Sequence, residues 1–340
     1  MLLSATKLTN LHAVSPSPLN FLHKDPIITT MTDISYKYKI QIQDTDTKIR
    51  SIWKGICTMN SNHNTNHNSD HYPDYHLHTE FSSDCTTPIR DLIAASREKG
   101  LTEICITDHH DEDFPMDTGS PHDFQLDFDR YFQTLCTLQE EYQPDFTLKI
   151  GIEQGIMPST CEKMSGFSAR YPMLDFIICS SHVVDGFDPY YPAYFEKWGE
   201  APGYRKYFED ILYNVTHFAD YSVYGHMDYI LRYGPTKADN FDVRDYLELF
   251  EAIFRAILDH GKGIELNTGS LYRGMDFAHP HPTLLKLYRE MGGEIITFGS
   301  DAHDTVYVGH AFAEGAELLR SLGFKYYCTF SKLQPEFHLL

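Results

Sequence analysis

The stretch DYHLH, residues 74–78, begins the part of the chain in which a fold can be read from the sequence. Polar and apolar residues alternate in it, and His76 and His78 stand two positions apart. Because successive side chains of a β-strand point to opposite faces, both imidazoles would lie on one face. The stretch therefore predicts a strand that presents two metal-binding side chains to one side.

Six further short apolar runs follow, and longer amphipathic segments lie between them. They cover residues 103–108, 148–153, 176–182, 223–228, 263–268 and 295–301. The first intervening helix is predicted to have Thr87 as N-cap, Pro88 as first residue and Gly100 beyond its end. Seven repeats over about 255 residues come close to the ~250 typical of a TIM barrel. We therefore predict an α/β fold, a distorted (β/α)7 TIM-like barrel, rather than the doubly wound sheet that a similar pattern would allow.

Nearly every run ends in a residue type that binds metals. These polar residues at the strand ends favour the TIM-like barrel over the doubly wound sheet. In a barrel, the carboxyl ends of the strands surround one active site. Imidazole and carboxylate at this density suit Zn, Mn or Fe, and more than one ion. No cysteine falls among them, which disfavours a closed structural zinc site. The residues are His76, His78, Asp108, His109, Glu153, His182, His226, Asp228, Asp301 and His303.

Residues 1–73 lack this pattern and are predicted to form an N-terminal extension. Residues 36–43 alternate like a strand or hairpin, and the first thirty residues are predicted to be unstructured, with a transit peptide as the alternative. The Asn- and His-rich tract at residues 60–72 has too little apolar surface for a core, so it predicts a flexible linker. The barrel domain would then comprise residues 74–340.

Composition narrows the class of partner. The formal net charge is −20 and the isoelectric point about 5.3, which argues against a nucleic-acid-binding surface. No apolar run approaches the ~18 residues of a membrane span. The seven cysteines are odd in number and scattered, as expected of free thiols in a reducing compartment. From composition we expect a protein of a reducing compartment, the cytoplasm, with no nucleic-acid or membrane partner.

The motifs of the chain resemble those of the PHP (polymerase and histidinol phosphatase) domain. They read HLH at 76–78, TDH at 107–109, GIE at 151–153, SSH at 180–182, GH at 225–226 and SDAH at 300–303. The resemblance covers residues 74–338. Further phrases, such as FSSDC at 81–85 and GHMDYILRYG at 225–234, resemble the monofunctional histidinol-phosphate phosphatases within that superfamily.

The resemblance implies a distorted (β/α)7 barrel with three divalent ions, and an activity. The expected reaction is hydrolysis of L-histidinol phosphate to L-histidinol and phosphate, in histidine biosynthesis, by attack of a metal-bound hydroxide on phosphorus. Asp84 is added to the predicted ligands because the family has His or Asp there. The implied set is His76, His78, Asp84, His109, Glu153, His182, His226, Asp301 and His303.

Substrate-binding and proton-transfer residues are predicted around these ligands. Arg232 and Arg273 follow strand ends and are candidates for the phosphate, with Arg205 as a third. Protonation of the leaving oxygen is assigned to Asp108, Asp228 or a metal-bound water, and His303 is counted as catalytic as well as a ligand. The loop at residues 187–195 offers aromatic rings and Asp188 for the substrate's cationic groups. His217, His260, His279 and His281 are predicted to be structural.

Two other functions are compatible with these motifs. One is a PHP phosphoesterase or exonuclease that acts on nucleotides or nucleic acid, which the acidic composition disfavours. The other is a metal-binding module without catalytic activity, which a missing ligand would indicate. All nine positions hold residue types that can bind metal.

Overall fold

The core of the protein is a curved parallel sheet. The computed structural model describes residues 71–115 and 120–340. Its strands are β1 (Glu103–Ile106), β2 (His109–Asp111), β3 (Thr147–Gly155), β4 (Phe176–Ser180), β5 (Val223–Tyr224), β6 (Gly263–Asn267) and β7 (Ile296–Gly299). Their spatial order follows the chain from β1 through β3 to β7, with β2 paired to the second half of β3. This parallel order confirms the predicted barrel rather than a doubly wound sheet.

The stretch DYHLH joins the two edges of this sheet. Asp74 forms a parallel bridge with Ile104 of β1, and Leu77 forms one with Ala302, just beyond β7. The N–H of Tyr75 donates to Phe298 at 2.9 Å. We call residues 74–78 the closing segment. It is held by single bridges rather than by the regular strand that was predicted.

The Asp74 side chain explains this irregular closure. Its carboxylate is fully buried and accepts hydrogen bonds from the Ser300 N–H at 3.0 Å, the Ser300 hydroxyl at 2.5 Å and the Gly309 N–H at 2.9 Å. Side chain to backbone bonds thus replace part of the ladder between the closing segment and the chain after β7. Burial raises the pKa of Asp74 to about 6 against the opposing effect of these hydrogen bonds.

Helices cover the outside of the sheet. Helix α7 (Leu247–Asp259) shows why, because Phe250, Ile253, Phe254 and Ile257 form one buried stripe at helical spacing. Short 3-10 turns occupy Tyr229–Arg232, Val243–Tyr246 and Thr305–Tyr307. The α-helices are α1 (Ile89–Glu98), α2 (Phe128–Tyr142), α3 (Cys161–Met164), α4 (Phe167–Arg170), α5 (Pro192–Trp198), α6 (Glu200–His217), α7 (Leu247–Asp259), α8 (Gly269–Tyr272), α9 (Pro282–Glu290) and α10 (Phe312–Ser321).

An antiparallel hairpin of β8 (Tyr326–Ser331) and β9 (Gln334–Leu339) packs on the amino-terminal side of the closing segment. The ring of Phe176 lies 5.0 Å from the ring of Tyr75 and 5.0 Å from that of Phe330. The Tyr75 hydroxyl also donates to Glu103 at 2.5 Å and accepts from the N–H of Phe330 at 3.0 Å. This hairpin is absent from the seven strands predicted by apolar runs.

The start of α1 differs from its prediction. The helix begins at Ile89 with Pro88 as N-cap, so both assignments are off by one residue. Thr87 does not cap the helix, because its hydroxyl donates to the His303 carbonyl at 2.7 Å. The Glu80 carboxylate accepts from the Ile89 N–H instead, at 2.6 Å. The predicted end is confirmed, since Gly100 has a φ of +84°.

Three other expectations depend on how much of the chain is described. The strand at residues 36–43, residues 60–70 of the linker predicted at 60–72, and Cys57 lie outside the described residues. Tyr72, at the end of that predicted linker, is buried. The six cysteines inside them are all free thiols. Among the helices of residues 71–115 and 120–340, none has the length and apolar character needed to cross a bilayer.

Replacement of Asp74 should test the closure directly. Asp74→Ala leaves buried N–H and O–H donors without an acceptor, so we expect a loss of about 3 kcal/mol in the free energy of unfolding. Urea unfolding followed by circular dichroism measures it. Asp145→Ala, at an exposed aspartate, serves as the control with a change below about 0.5 kcal/mol. Equal stability of the two variants would contradict the role given to Asp74.

Candidate metal centre

One buried carboxylate, that of Glu153 near the end of β3, lies among five imidazoles. Its Oε2 is 3.0 Å from His76 Nε2, 3.5 Å from His78 Nε2 and 3.0 Å from His109 Nδ1. Its Oε1 is 3.2 Å from His182 Nε2 and 2.9 Å from His226 Nε2. Five of the predicted ligands therefore converge on a sixth.

These separations fit ligands that share metal ions. Donors bound to one ion at about 2.0–2.2 Å lie roughly 3–3.5 Å from each other. The His78 Nε2 and His109 Nδ1 atoms are buried and have no hydrogen-bond partner among the residues that the structure describes, although a carboxylate oxygen is near each of them. A buried polar atom without a partner is unfavourable, and a cation would satisfy both. The donor set thus fits divalent metal.

The remaining predicted ligands extend the cluster toward the surface. His303 Nε2 lies 3.2 Å from Asp84 Oδ2, and Asp301 Oδ1 lies 3.7 Å from His78 Nε2. Three overlapping groups have donor atoms close enough to hold an ion, and His78, His109 and Glu153 each belong to two groups. Shared membership suits adjacent ions with common ligands. The groups are His78 with His109 and His303, His76 with His78 and Glu153, and His109 with Glu153 and His182.

Buried acceptors fix the orientation of several histidines. Glu265 Oε1 is 2.6 Å from His76 Nδ1, and Asp111 Oδ2 is 2.8 Å from His182 Nδ1. Each contact places the proton on Nδ1 and turns Nε2 toward Glu153. Neither Glu265 nor Asp111 was predicted from the sequence to take part in the site. A signal existed, because Glu265 lies two residues before Asn267 and Asp111 two residues after His109, so each pair shares a strand face.

Asp108 belongs to this supporting layer and is not on the cavity surface. Its Oδ1 accepts from the Thr79 N–H at 2.7 Å and the Ser82 hydroxyl at 2.6 Å, and its Oδ2 accepts from the Thr79 hydroxyl at 2.7 Å. Ser82 Oγ also lies 3.2 Å from His78 Nδ1. The fully buried Asp108 therefore positions the loop after the closing segment, and the structure does not bring it to the cavity as a proton donor.

The two predicted phosphate-binding arginines meet at Asp301. Arg232 Nη1 lies 3.3 Å and Arg273 Nη1 3.2 Å from Asp301 Oδ2, while the other oxygen of this carboxylate faces His78. Burial would raise the pKa of Asp301, but the charges of Arg273, His76 and Arg232 outweigh it and hold the pKa well below its usual range. An ionised Asp301 thus connects the arginines to the histidine cluster.

The structure places Arg205 and Asp228 away from this meeting point. Arg205 is exposed on α6, donates to the Asp245 carbonyl at 3.3 Å and lies over the ring of Tyr246, so it does not line the cavity. Asp228 is fully buried, and its two oxygens accept from His279 Nδ1 and the His281 N–H, both at 2.7 Å. The predicted proton-donor role does not fit a carboxylate occupied in this way.

Of the four histidines predicted to be structural, His279 contacts a site residue. Its Nε2 accepts from Arg232 Nε at 3.0 Å. His217 bonds the Tyr213 carbonyl on α6, and His260 is the exposed C-cap of α7, as expected of structural residues. The neighbouring prolines gave no indication that His279 reaches Arg232 from 47 residues away.

A cavity of about 620 Å³ opens beside the cluster. Both arginines line it, together with Asp188 and six aromatic residues. Burial raises the pKa of Asp188 to about 6, although a hydrogen bond from Tyr190 opposes the change. The predicted ligands that line it are Asp84, His109, His182, His226, Asp301 and His303, and the aromatic residues are Phe114, Phe124, Tyr190, Tyr191, Tyr229 and Tyr233.

A barrel with clustered histidines and carboxylates beside paired arginines defines a metal-dependent phosphoesterase. The chain belongs to the PHP domain family, whose model matches residues 74–269. A histidinol-phosphatase of Lactococcus lactis is 31% identical over 262 residues, 76% of this chain and 94% of that protein. A probable histidinol-phosphatase of Clostridium acetobutylicum is 27% identical over 250 residues, 74% of this chain and 93% of that protein.

Solved structures agree with this assignment. The structure of the Lactococcus lactis histidinol phosphate phosphatase, complexed with Zn, L-histidinol and phosphate, superposes with a TM-score of 0.68 at 29% identity. It covers 78% of this chain, and 99% of that chain is matched. A putative histidinol phosphatase from Listeria monocytogenes has a TM-score of 0.61 at 18% identity, covers 71% of this chain and is matched over 99% of its own, which supports the fold.

Replacement of the central carboxylate should remove metal from more than one position. We expect zinc-loaded Glu153→Gln to lose more than one equivalent of metal, because both oxygens of Glu153 face imidazoles. Elemental analysis after gel filtration measures the stoichiometry. Glu209→Gln, at an exposed position on α6, is the control and should keep all its metal. Full metal content in Glu153→Gln would argue against a shared ligand.

Proposed function

We propose that the protein hydrolyses L-histidinol phosphate to L-histidinol and phosphate. One observation carries the proposal: two arginines meet at Asp301, directly beside the histidine cluster, within a cavity. This juxtaposition suits a phosphoryl group that is bound by arginine and metal together. The Lactococcus lactis relative, with L-histidinol and phosphate bound in its structure, supports the choice of substrate.

The two arginines would bind the phosphate in different ways. The Arg232 side chain is only 6% exposed and is bonded to Asp301, Asn267 and His279, so its position is fixed before substrate arrives. The Arg273 side chain is 31% exposed and packs over the ring of Tyr272, which leaves it freer to follow the substrate. Fixed donors lower the entropy lost on binding.

The proposed ligands hold divalent ions, with zinc the metal of the relative's structure. Bound ions of this kind activate water as a nucleophile and neutralise phosphate charge. The chain itself orients the imidazoles through Glu265, Asp111 and Ser82. Of the three residues predicted to be catalytic, His303 lines the cavity, beside Asp84, whereas Asp108 and Asp228 do not. We therefore assign the two aspartates to positioning.

The other part of the cavity suits the cationic end of histidinol. Asp188 is bonded to the Tyr190 N–H through Oδ1, at 2.8 Å, and it lines the cavity with Tyr190 and Tyr191. A carboxylate between aromatic rings attracts both an ammonium and a protonated imidazole. The loop at residues 187–195 thus provides the acidic, aromatic surface expected for this substrate.

We also propose that the protein works in the cytoplasm on a free small molecule. Free thiols at all six described cysteines support a reducing compartment. The net charge of −20 and a cavity with an acidic side chain suit a small cationic phosphomonoester better than a polynucleotide.

Phosphate release from L-histidinol phosphate tests the function. The zinc-loaded protein should release phosphate from this substrate and leave labelled single-stranded DNA intact. His76→Ala should lose metal and activity together. Arg273→Ala should keep its metal and show a KM raised about 10- to 100-fold, the usual effect of losing a charge-assisted hydrogen bond. Preferential cleavage of DNA, or full activity of His76→Ala, would refute the proposal.

The titration of Asp188 gives a second test. Above pH 7 its carboxylate is ionised, and it becomes protonated and neutral as the pH falls through about 6. The ratio of the KM of Asp188→Asn to that of the wild type should therefore be about tenfold above pH 7 and approach one near pH 5. Using the ratio cancels the titration of the substrate itself. A ratio independent of pH would exclude Asp188 from substrate recognition.

A further inference from the structure

A buried chain of hydrogen bonds ends at Arg232. Arg232 Nε donates to His279 Nε2 at 3.0 Å, and His279 Nδ1 donates to Asp228 Oδ1 at 2.7 Å. The second oxygen of Asp228 accepts from the His281 N–H at 2.7 Å. His279 and Asp228 are both fully buried, and neither lines the cavity.

The direction of this chain follows from the chemistry of arginine. A guanidinium can only donate, so the Nε2 of His279 must be the acceptor and carries no proton. The proton of the neutral ring then lies on Nδ1, where the Asp228 carboxylate accepts it. Burial lowers the pKa of His279, against the opposing charge of Asp228, which agrees with a neutral ring.

We propose that His279 and Asp228 are positioning residues that hold the Arg232 guanidinium in the orientation in which it binds the substrate phosphate. The inference rests on the proposed function, since it takes Arg232 as a phosphate ligand. It gives a role to Asp228, which was predicted to donate a proton, and to His279, which was predicted to be structural.

The other contacts of Arg232 show why His279 matters. The two Nη atoms of Arg232 both lie 3.3 Å from Asp301 Oδ2, and Nη2 also bonds Asn267 Oδ1 at 3.2 Å. The Nη donors are thus the ones at the metal-site carboxylate, where a phosphate oxygen would compete for them. The Arg232 Nε–H instead donates to His279, and a bound phosphate would leave this hydrogen bond in place. His279 therefore fixes the guanidinium plane independently of what the Nη groups bind.

The two products separate the parts of the site in a binding experiment. Isothermal titration calorimetry on the zinc-loaded protein would use inorganic phosphate and L-histidinol as separate ligands. His279→Ala should weaken phosphate binding about 10- to 100-fold and change L-histidinol binding less than about threefold, with metal content unchanged. His260→Ala, at an exposed histidine on α7, should change neither.

Conservative variants distinguish positioning from packing. In His279→Gln the side-chain oxygen can still accept from Arg232, so phosphate affinity should recover to within about fivefold of the wild type. In Asp228→Asn the single side-chain oxygen can still accept from His279, although the amide nitrogen cannot accept from the His281 N–H, and the loss should again be smaller than in His279→Ala. If His279→Ala does not fold, His279→Gln and Asp228→Asn are compared with the wild type instead. The proposal would be refuted if either variant lost as much affinity for L-histidinol as for phosphate.

The double variant decides whether His279 acts through Arg232. Arg232→Ala with His279→Ala should bind phosphate no more weakly than Arg232→Ala alone. A further loss in the double variant, an equal loss of both products in His279→Ala, or loss of metal would overturn the proposal. A wild type that binds phosphate but releases none from L-histidinol phosphate would refute the proposed function and leave this binding test valid.

Discussion

The structure depends on one electrostatic constraint, the burial of the Glu153 carboxylate among five imidazoles. Without cations part of the cluster retains protons: the charge of Glu153 raises the pKa of His76 well above its ordinary value in spite of burial, and that of His109 to about 9, whereas burial lowers the pKa values of His78 and His226. Metal ions must displace these protons, so binding of metal and release of protons are linked. Metal binding at this site is therefore expected to depend on pH.

The barrel meets this constraint by sending ligands from separate strands to one end. Glu153 comes from β3, the five imidazoles come from the closing segment and three other parts of the chain, and the acids that orient them come from β2 and β6. His109 and Glu153 face each other on paired strands, and His182 and His226 follow directly after β4 and β5. Parallel strands thus supply the rigidity that a shared carboxylate requires.

Much of this arrangement could be predicted because strand periodicity and ligand chemistry act locally. The shared orientation of two residues such as His76 and His78 can be predicted from their spacing alone, without the rest of the chain. Contacts between distant segments were beyond such patterns: Glu265 with His76 is separated by 189 positions, and His279 with Arg232 by 47. Asp108 and Asp228 are carboxylates at strand ends, as a proton donor would require. Their hydrogen bonds to buried partners show that they position other parts of the site instead.

The closing segment also sets an order of assembly. Asp74 bonds Ser300, 226 positions later, and Tyr75 bonds Phe330, 255 positions later. Such long-range contacts form late in folding, because the loop entropy must be lost first. During synthesis His76 and His78 leave the ribosome early. Their metal site stays incomplete until the end of the barrel has been made. The metal centre is thus completed only after Asp301 and His303 have been made, and a chain truncated before residue 300 lacks both of these ligands.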